Sequence, residues 1–379
     1  MQNFRGTFIN KNRDAWVEIN LGNLEHNVLI IKDFLQKNCT SNPDIFAVIK
    51  ADGYGHGSLM CAPILSACGI NYFGVASIDE GIELREHKIT KPILVLGASP
   101  LWAMENAIKY NIAVSIFNDE HIEMANQLYE RLNKKLKVHI KLDTGMNRIG
   151  INKSEAKNFI KKVTNSQAIE LEGIFTHFAD VENEILFKKQ INEFREIIEP
   201  YKNSNIKIHC LNSPGMFSYP QYSYDMVRMG IIMWGLTPYS CPNCNMPQVK
   251  PVMGLKARIT NIHMLKENDG ISYGHTYIAQ KDTKVATIPI GYADGIARNL
   301  SGKITAILNG KEIKQIGRIT MDQIMFNVDN IDCSVGDVIT LLGEENKIDT
   351  IDTWAKKLDT INYELTCRLK MRLPRIYVR

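Results

Sequence analysis

Lys50 closes an apolar run, Ile45-Phe-Ala-Val-Ile-Lys50, and opens a turn of small and polar residues, Ala51-Asp-Gly-Tyr54-Gly-His-Gly57. A run rich in valine and isoleucine and bounded by glycines reads as a buried strand of a parallel sheet, whose carboxyl end faces the ligand crevice of α/β folds. An amine at that point suits Schiff-base chemistry, and the glycine-rich exit reads as backbone flexible enough to close around a ligand. A lysine that merely snorkels from a strand end into water leaves the same local trace. The other residues able to do chemistry occur in comparable settings: Lys141-Leu-Asp-Thr-Gly-Met-Asn-Arg148, His177, Asn212-Ser213 and Arg228. Each has a purely structural reading, as a hydrogen-bonded barrel histidine, an ion-paired arginine or a turn. Their gathering at the ends of apolar runs is the signal.

Short branched-apolar runs alternate with helical patterns along the first two thirds of the chain. Eight strands are expected: Ile45–Lys50, Phe73–Ser77, Ile93–Leu96, Ile112–Ile116, Val138–Leu142, Gly173–His177, Lys207–Leu211 and Met226–Gly230. Between them apolar residues recur three or four apart, as at Ala156, Phe159, Ile160 and Val163 or at Phe187, Ile191, Phe194 and Ile198. Eight strand-helix units predict an α/β fold, a (β/α)8 TIM-type barrel with tight loops, since the span is shorter than the ~250 residues usual for that architecture. Trp16-Val-Glu-Ile-Asn-Leu21 is a ninth strand pattern, placed outside the barrel.

After a proline-marked linker the pattern turns to strands: Lys256–Ile262, Lys284–Ile290, Ile304–Leu308, Glu312–Ile316, Gln323–Val328 and Val338–Leu342. Asn309-Gly310 between two of them is a two-residue hairpin signal. The expected division is a barrel over residues 15–240 and a mainly β domain over 241–379, joined by the N-terminal segment 1–14. Cys241-Pro-Asn-Cys244 is a lone CxxC without a second pair or histidine cluster, and reads as a plain loop within the linker.

The 45 basic and 41 acidic residues of this 379-residue chain are scattered without like-charge blocks, so no nucleic-acid or membrane footprint is expected despite a net charge of +4. Cys61, Cys68 and Cys210 sit alone in apolar segments, as buried core thiols do. The opening residues lack a secretory apolar stretch, which predicts a cytoplasmic protein.

Taken together, Ala47-Val-Ile-Lys-Ala-Asp-Gly-Tyr-Gly-His-Gly57, Lys141 to Gly150, Thr176-His-Phe178, Asn212-Ser213, Val227-Arg-Met-Gly-Ile231, Ile271-Ser-Tyr-Gly274, Ile290-Gly-Tyr-Ala-Asp-Gly295, Gly317-Arg-Ile-Thr-Met-Asp322 and Ile361-Asn-Tyr-Glu364 stand in an order that resembles the alanine racemases. The resemblance runs nearly end to end. It implies interconversion of L- and D-alanine, supplying D-alanine for peptidoglycan, with pyridoxal 5'-phosphate held at Lys50. The cofactor serves as the electron sink without which an α-proton is too weakly acidic to remove. It also implies two bases on opposite faces of Cα, Lys50 and a Tyr273 delivered by the partner subunit of a homodimer with shared sites. Tyr54, Ser213, the backbone of Gly230 and Ile231, and Tyr363 would hold the phosphate. Arg228 would face the ring nitrogen with His177 nearby. Arg148 and Met321 would bind the substrate carboxylate, and Lys141 matches a lysine carbamylated in many members.

Three positions depart from the commoner pattern: Thr320 where cysteine is frequent, Trp234 where tyrosine is, and His275 where a small residue is. They bear on pocket shape and so on a strict preference for alanine. Three other readings are carried: a racemase of broader or serine-type specificity, a decarboxylase of the same architecture, and a non-catalytic cofactor carrier. Tyr273 speaks against the decarboxylase, and the second domain against the carrier.

Overall fold

The structure, a computed structural model, describes residues 12–238, 246–346 and 349–379. The Cys241/Cys244 pair lies outside the described residues. Eight parallel strands form a closed ring: Asp44–Val48, Tyr72–Val75, Ile93–Ala98, Ala113–Ile116, Leu136–Asp143, Ile169–Phe175, Lys207–Asn212 and Met226–Met229. Closure is explicit, because Asp44–Val48 pairs in parallel with both Tyr72–Val75 and Met226–Met229. All eight expected strands are present, within a few residues of their expected ends.

The outer helices form where the sequence supplies both a cap and an apolar stripe. Ser77, Asn118 and Asn183 each accept a backbone N–H of the first turn they precede. Helix Lys153–Asn165 buries Ala156, Phe159, Ile160 and Val163, and helix Glu184–Ile198 buries Phe187, Ile191 and Phe194, the spacings read from the sequence. No helix among the described residues is long and apolar enough to cross a membrane.

The interior of the barrel is mixed. Phe46, Leu94, Ala113, Phe175 and Met226 form an apolar cluster, and the rings of His139 and His209 pack against Phe46 and Phe175 within it.

The second domain is a nine-stranded sheet running from Asn261–Leu265 at one edge to Arg375–Val378 at the other. The Asn309-Gly310 hairpin is present, with both residues at positive φ, 50° and 75°, as a tight two-residue turn demands. Two expectations need correction. Residues 256–262 form two strands, Met253–Arg258 and Asn261–Leu265, because the Ile259 amide turns to Asp337 and both the amide and hydroxyl of Thr260 turn to the Thr287 carbonyl. The expected domain bound of 15 is too early for the barrel, and the strand expected outside the barrel is outside it. Strand Ala15–Asn20 lies in the β sheet, antiparallel to Met253–Arg258 and parallel to Arg375–Val378, where its alternate residues Ala15, Val17 and Ile19 are buried.

Candidate active site

Lys50 stands one residue, Ile49, beyond the first barrel strand, and the chain then does something rare. Ala51, Asp52, Gly53 and Tyr54 all take positive φ, between 52° and 62°, making a single left-handed turn. Each non-glycine residue in that conformation costs about 1–2 kcal/mol. The turn is held by Gly53 N–H donating to Ile49 O at 2.8 Å, Gly55 N–H to Ala51 O at 2.9 Å, and Ser58 N–H to the Asp52 carboxylate at 2.7 Å. It also leans on the C-terminal region. A Cβ on Gly55 would strike the Thr366 carbonyl, one on Gly57 would strike the Tyr377 hydroxyl, and Arg375 donates to Gly55 O at 3.3 Å. The glycines are therefore points of close approach, and the segment read as flexible backbone is a turn pinned against the C-terminal region.

Lys50 and Tyr54 open into a cavity of about 240 Å³ lined also by Lys141, Arg148, His177, Ser213, Arg228, Gly230, Ile231 and Tyr363. Ten of the twelve residues singled out as site candidates thus meet in one place. At one end are hydroxyl and amide donors. The Ser213 hydroxyl accepts from Gly230 N–H at 3.2 Å, and Asn212 Oδ1 caps the following turn at Gly215 N–H, 3.0 Å. A Cβ on Gly230 would come within 2.6 Å of the Tyr54 hydroxyl, so only glycine leaves that oxygen in place. Burial pushes the Tyr54 phenol up, and Tyr363 up to about 12, so both remain protonated donors. Neutral hydroxyls and amides with a short-range bias toward anions suit a phosphate.

At the other end the guanidinium of Arg228 is buried. It donates to His209 Nδ1 at 2.9 Å, Thr176 O at 2.7 Å, Cys210 O at 2.8 Å and His177 Nδ1 at 3.2 Å. Its partners are neutral, and burial lowers it only to about 10, so it stays charged. His177 and His209 are pushed well below the ordinary histidine value, first by burial and then by Arg228, and are neutral. Lys141 sits 4.4 Å over the Phe175 ring and is pushed down to about 7 by burial and by Arg228 and Arg148. Lys50 is lowered too, by burial and Arg148, with Glu80 pulling the other way. A lysine with weakened proton affinity spends more time as the nucleophilic amine.

Tyr273 and Met321 do not join this cavity. They lie on the surface of the β domain, 71% and 53% exposed, and the backbone at Met321 is hydrogen-bonded to the Tyr292-Ala293 turn. In the other direction, sequence reading missed His139 and His209, which continue the Arg228 contacts inward. The signal was present: His139 and Lys141 alternate along one strand, so period two puts both on the inner face.

The matches to known proteins follow the same division. Residues 19–238 match the family model described as alanine racemase, N-terminal domain, and 252–377 the model for the C-terminal domain. An alanine racemase of Desulfovibrio desulfuricans is 40% identical, covering 97% of this chain and 98% of its own. Among solved structures, an alanine racemase from Clostridium difficile 630 superposes with a TM-score of 0.89 at 37% identity, covering 96% of each chain. A histidine racemase from Leuconostoc mesenteroides also reaches 0.89, at 28% identity, covering 98% of this chain and 100% of its own. Full-length likeness in both domains, on a fold that gathers the motif residues around Lys50, means that this chain belongs to the alanine racemase family.

Proposed function

We propose that this chain interconverts L- and D-alanine with pyridoxal 5'-phosphate held covalently at Lys50, in a homodimer whose two sites are each completed by the other subunit. The observation that carries the reading is the pairing, within one small cavity, of a lysine of weakened proton affinity with a buried, permanently charged arginine and a separate nest of neutral phosphate donors. That donor set fits the cofactor. Lys50 offers the amine for its aldehyde; Tyr54, Ser213, Tyr363 and the amides of Gly230 and Ile231 fit the phosphate; and Arg228 fits the ring nitrogen. When bound, the group supplies the electron sink that makes an amino-acid Cα–H acidic.

This chain's own residues then handle the proton. Lys50 Nζ, freed as an amine once the substrate's amino group has taken its place, would take the proton from one face or return it there. Tyr273 of the partner subunit serves the opposite face, which accounts for an exposed tyrosine on the β domain. A phenol acting as a base is helped by positive charge or a hydrogen-bond donor beside its oxygen. Arg228 and His177 supply positive charge and a donor, since His177 Nδ1 accepts from Arg228 and leaves its other nitrogen protonated. Arg228 would hold the cofactor's ring nitrogen without protonating it, since an arginine keeps its own proton, and so would favour simple proton return over other fates. Arg148 and the backbone of Met321 of the partner subunit bind the substrate carboxylate. Lys141, pushed down to about 7 by burial and by Arg228 and Arg148, is the candidate for carbamylation: its neutral amine would attack carbon dioxide, opening one C=O π bond and losing a proton to solvent, to give an anion beside those arginines.

Tyr363 and the small cavity limit the substrate side chain, and alanine is the substrate assigned. The decisive experiment is racemisation of a panel of L-amino acids, including alanine, serine and histidine, by purified protein with the visible absorption of the cofactor recorded. Preference for alanine by ten-fold or more in kcat/KM supports the reading. A comparable rate on serine or histidine replaces it with broader specificity, and release of carbon dioxide replaces it with decarboxylation.

A further inference from the structure

Ser77-Ile-Asp-Glu80 has the S-x-x-E spacing of a capping box at the start of helix Ile78–Glu86, and half of one is formed, with the Ser77 hydroxyl accepting from Glu80 N–H at 3.3 Å. In such a box the glutamate carboxylate returns to the cap residue's own N–H. Here it goes elsewhere. Glu80 Oε2 accepts from Ala76 N–H at 2.7 Å, and Oε1 accepts from Ala51 N–H at 2.8 Å. The carboxylate therefore ties the exit of the second barrel strand to the first residue of the left-handed turn, immediately after Lys50.

That residue needs a tie. The amides of Gly53, Gly55 and Gly57 find partners inside the turn, on Ile49, Ala51 and Asp52, whereas the Ala51 amide is met by a side chain 29 positions along the chain. We propose that Glu80 is a positioning residue for Lys50: by clamping Ala51 it fixes where the strand ends and the turn begins, and so aims the lysine into the cavity. The inference rests on Lys50 being the cofactor lysine.

A second consequence runs through charge. The groups facing Lys50 are Arg148 from the loop after the fifth barrel strand, Glu80 from the helix after the second, Cys367 from helix Asn362–Arg368, and His177 from beyond the sixth strand. Lys141, Arg228, Tyr54 and Tyr363 line the same cavity. Arg148 lowers the lysine's proton affinity and Glu80 opposes it, so neutralising Glu80 removes the only carboxylate among these groups.

The test compares Glu80→Gln with Ser77→Ala, which weakens the helix start but leaves the carboxylate clamp whole. Each protein is loaded with pyridoxal phosphate, and two quantities are read: the rate at which cofactor is lost on dialysis, and the pH midpoint for borohydride-trapped label at Lys50, located by peptide mapping. Glu80→Gln, which keeps one acceptor oxygen but turns an N–H₂ toward the other amide, should lose cofactor about ten-fold faster, as loss of a charge-assisted bond does. Its labelling midpoint should move to lower pH. Ser77→Ala should match the parent in both, even with a lower melting temperature. Parental values in Glu80→Gln overturn the proposal, as do equal effects in the two variants, which would make Glu80 only a helix-stabilising residue. If Glu80→Gln does not fold while Ser77→Ala does, Glu80→Asp, one methylene short of spanning both amides, carries the same readouts, and parental values there overturn it equally. Label on a different lysine in the parent protein would instead remove the Lys50 assignment.

Discussion

Arg228 Nη1 donates to His209 Nδ1 across 2.9 Å, and that contact sets the direction of a longer chain. With Nδ1 accepting, the single proton of neutral His209 sits on Nε2, which lies 3.0 Å from His139 Nδ1. His139 must then accept there and carry its own proton on Nε2, which faces the Glu172 carboxylate at 4.0 Å. The donors run outward from Arg228 to Glu172. Nitrogen-15 spectra should therefore show both rings as neutral Nε2–H tautomers from pH 8 to pH 5, because burial and Arg228 hold both below the usual range. An imidazolium signal from either ring above pH 5 would contradict the arrangement.

Tyr273→Phe distinguishes two bases from one. With the cofactor still bound at Lys50, exchange of the Cα hydrogen with solvent deuterium should fall about 10²–10⁴-fold from L-alanine and far less from D-alanine. Equal losses from both enantiomers would leave Lys50 as the sole base.

Shared sites predict complementation. Lys50→Ala and Tyr273→Phe chains, each inactive in racemisation alone, should yield active mixed dimers in which one site keeps both groups. Mixed dimers that form by mass yet remain dead would end the shared-site reading.

Gly55→Ala should destabilise the protein by about 2–4 kcal/mol, since φ is +83° there and the new methyl meets the Thr366 carbonyl. It should also loosen the cofactor by disturbing the turn that follows Lys50. A urea midpoint within error of the parent would show that the close approach is dispensable.

Acid should weaken the fold earlier than carboxylate protonation alone requires. His56 and His139 are pushed down to about 3 by burial, against about 6.5 in an unfolded chain. Between those values the unfolded state binds protons that the native state refuses, so stability falls as pH drops below about 6.5 and is unaffected above 7. The limit is about 5 kcal/mol for each ring. Urea midpoints at successive pH values should decline from pH 6.5 toward 5, and His56→Phe, which preserves a ring against Trp234, should flatten part of the decline. A flat profile in the parent would refute the attribution.

The barrel was legible because its strands are continuous apolar runs and its helices carry clean three-four spacing, both consequences of burial on known faces. The site was legible through motif residues at strand ends. What stayed hidden depends on tertiary contact. Nothing near Gly55 or Gly57 announces that Thr366 and Tyr377 will press on them, so flexible backbone was read where left-handed φ and close packing together require glycine. Glu80 has the spacing of an ordinary capping glutamate, and nothing in that spacing tells that its carboxylate goes to Ala51 and Ala76 instead. Strand Ala15–Asn20 carries a half-buried alternation that fits any sheet, and only its partners assign it to the second domain.

The brace on the Lys50 turn also sets a clock. Gly55 and Arg375 are 320 positions apart. At about 5–20 residues per second, a ribosome needs roughly 16–64 s to make the span between them. The eight barrel strands have all emerged long before Arg375 appears, and strand Ala15–Asn20 waits for the same segment to take its place beside it. During translation the barrel can close while the Lys50 turn has only its own bonds and the Glu80 clamp, and the contacts from Arg375 and Tyr377 arrive with synthesis of the final sheet strand.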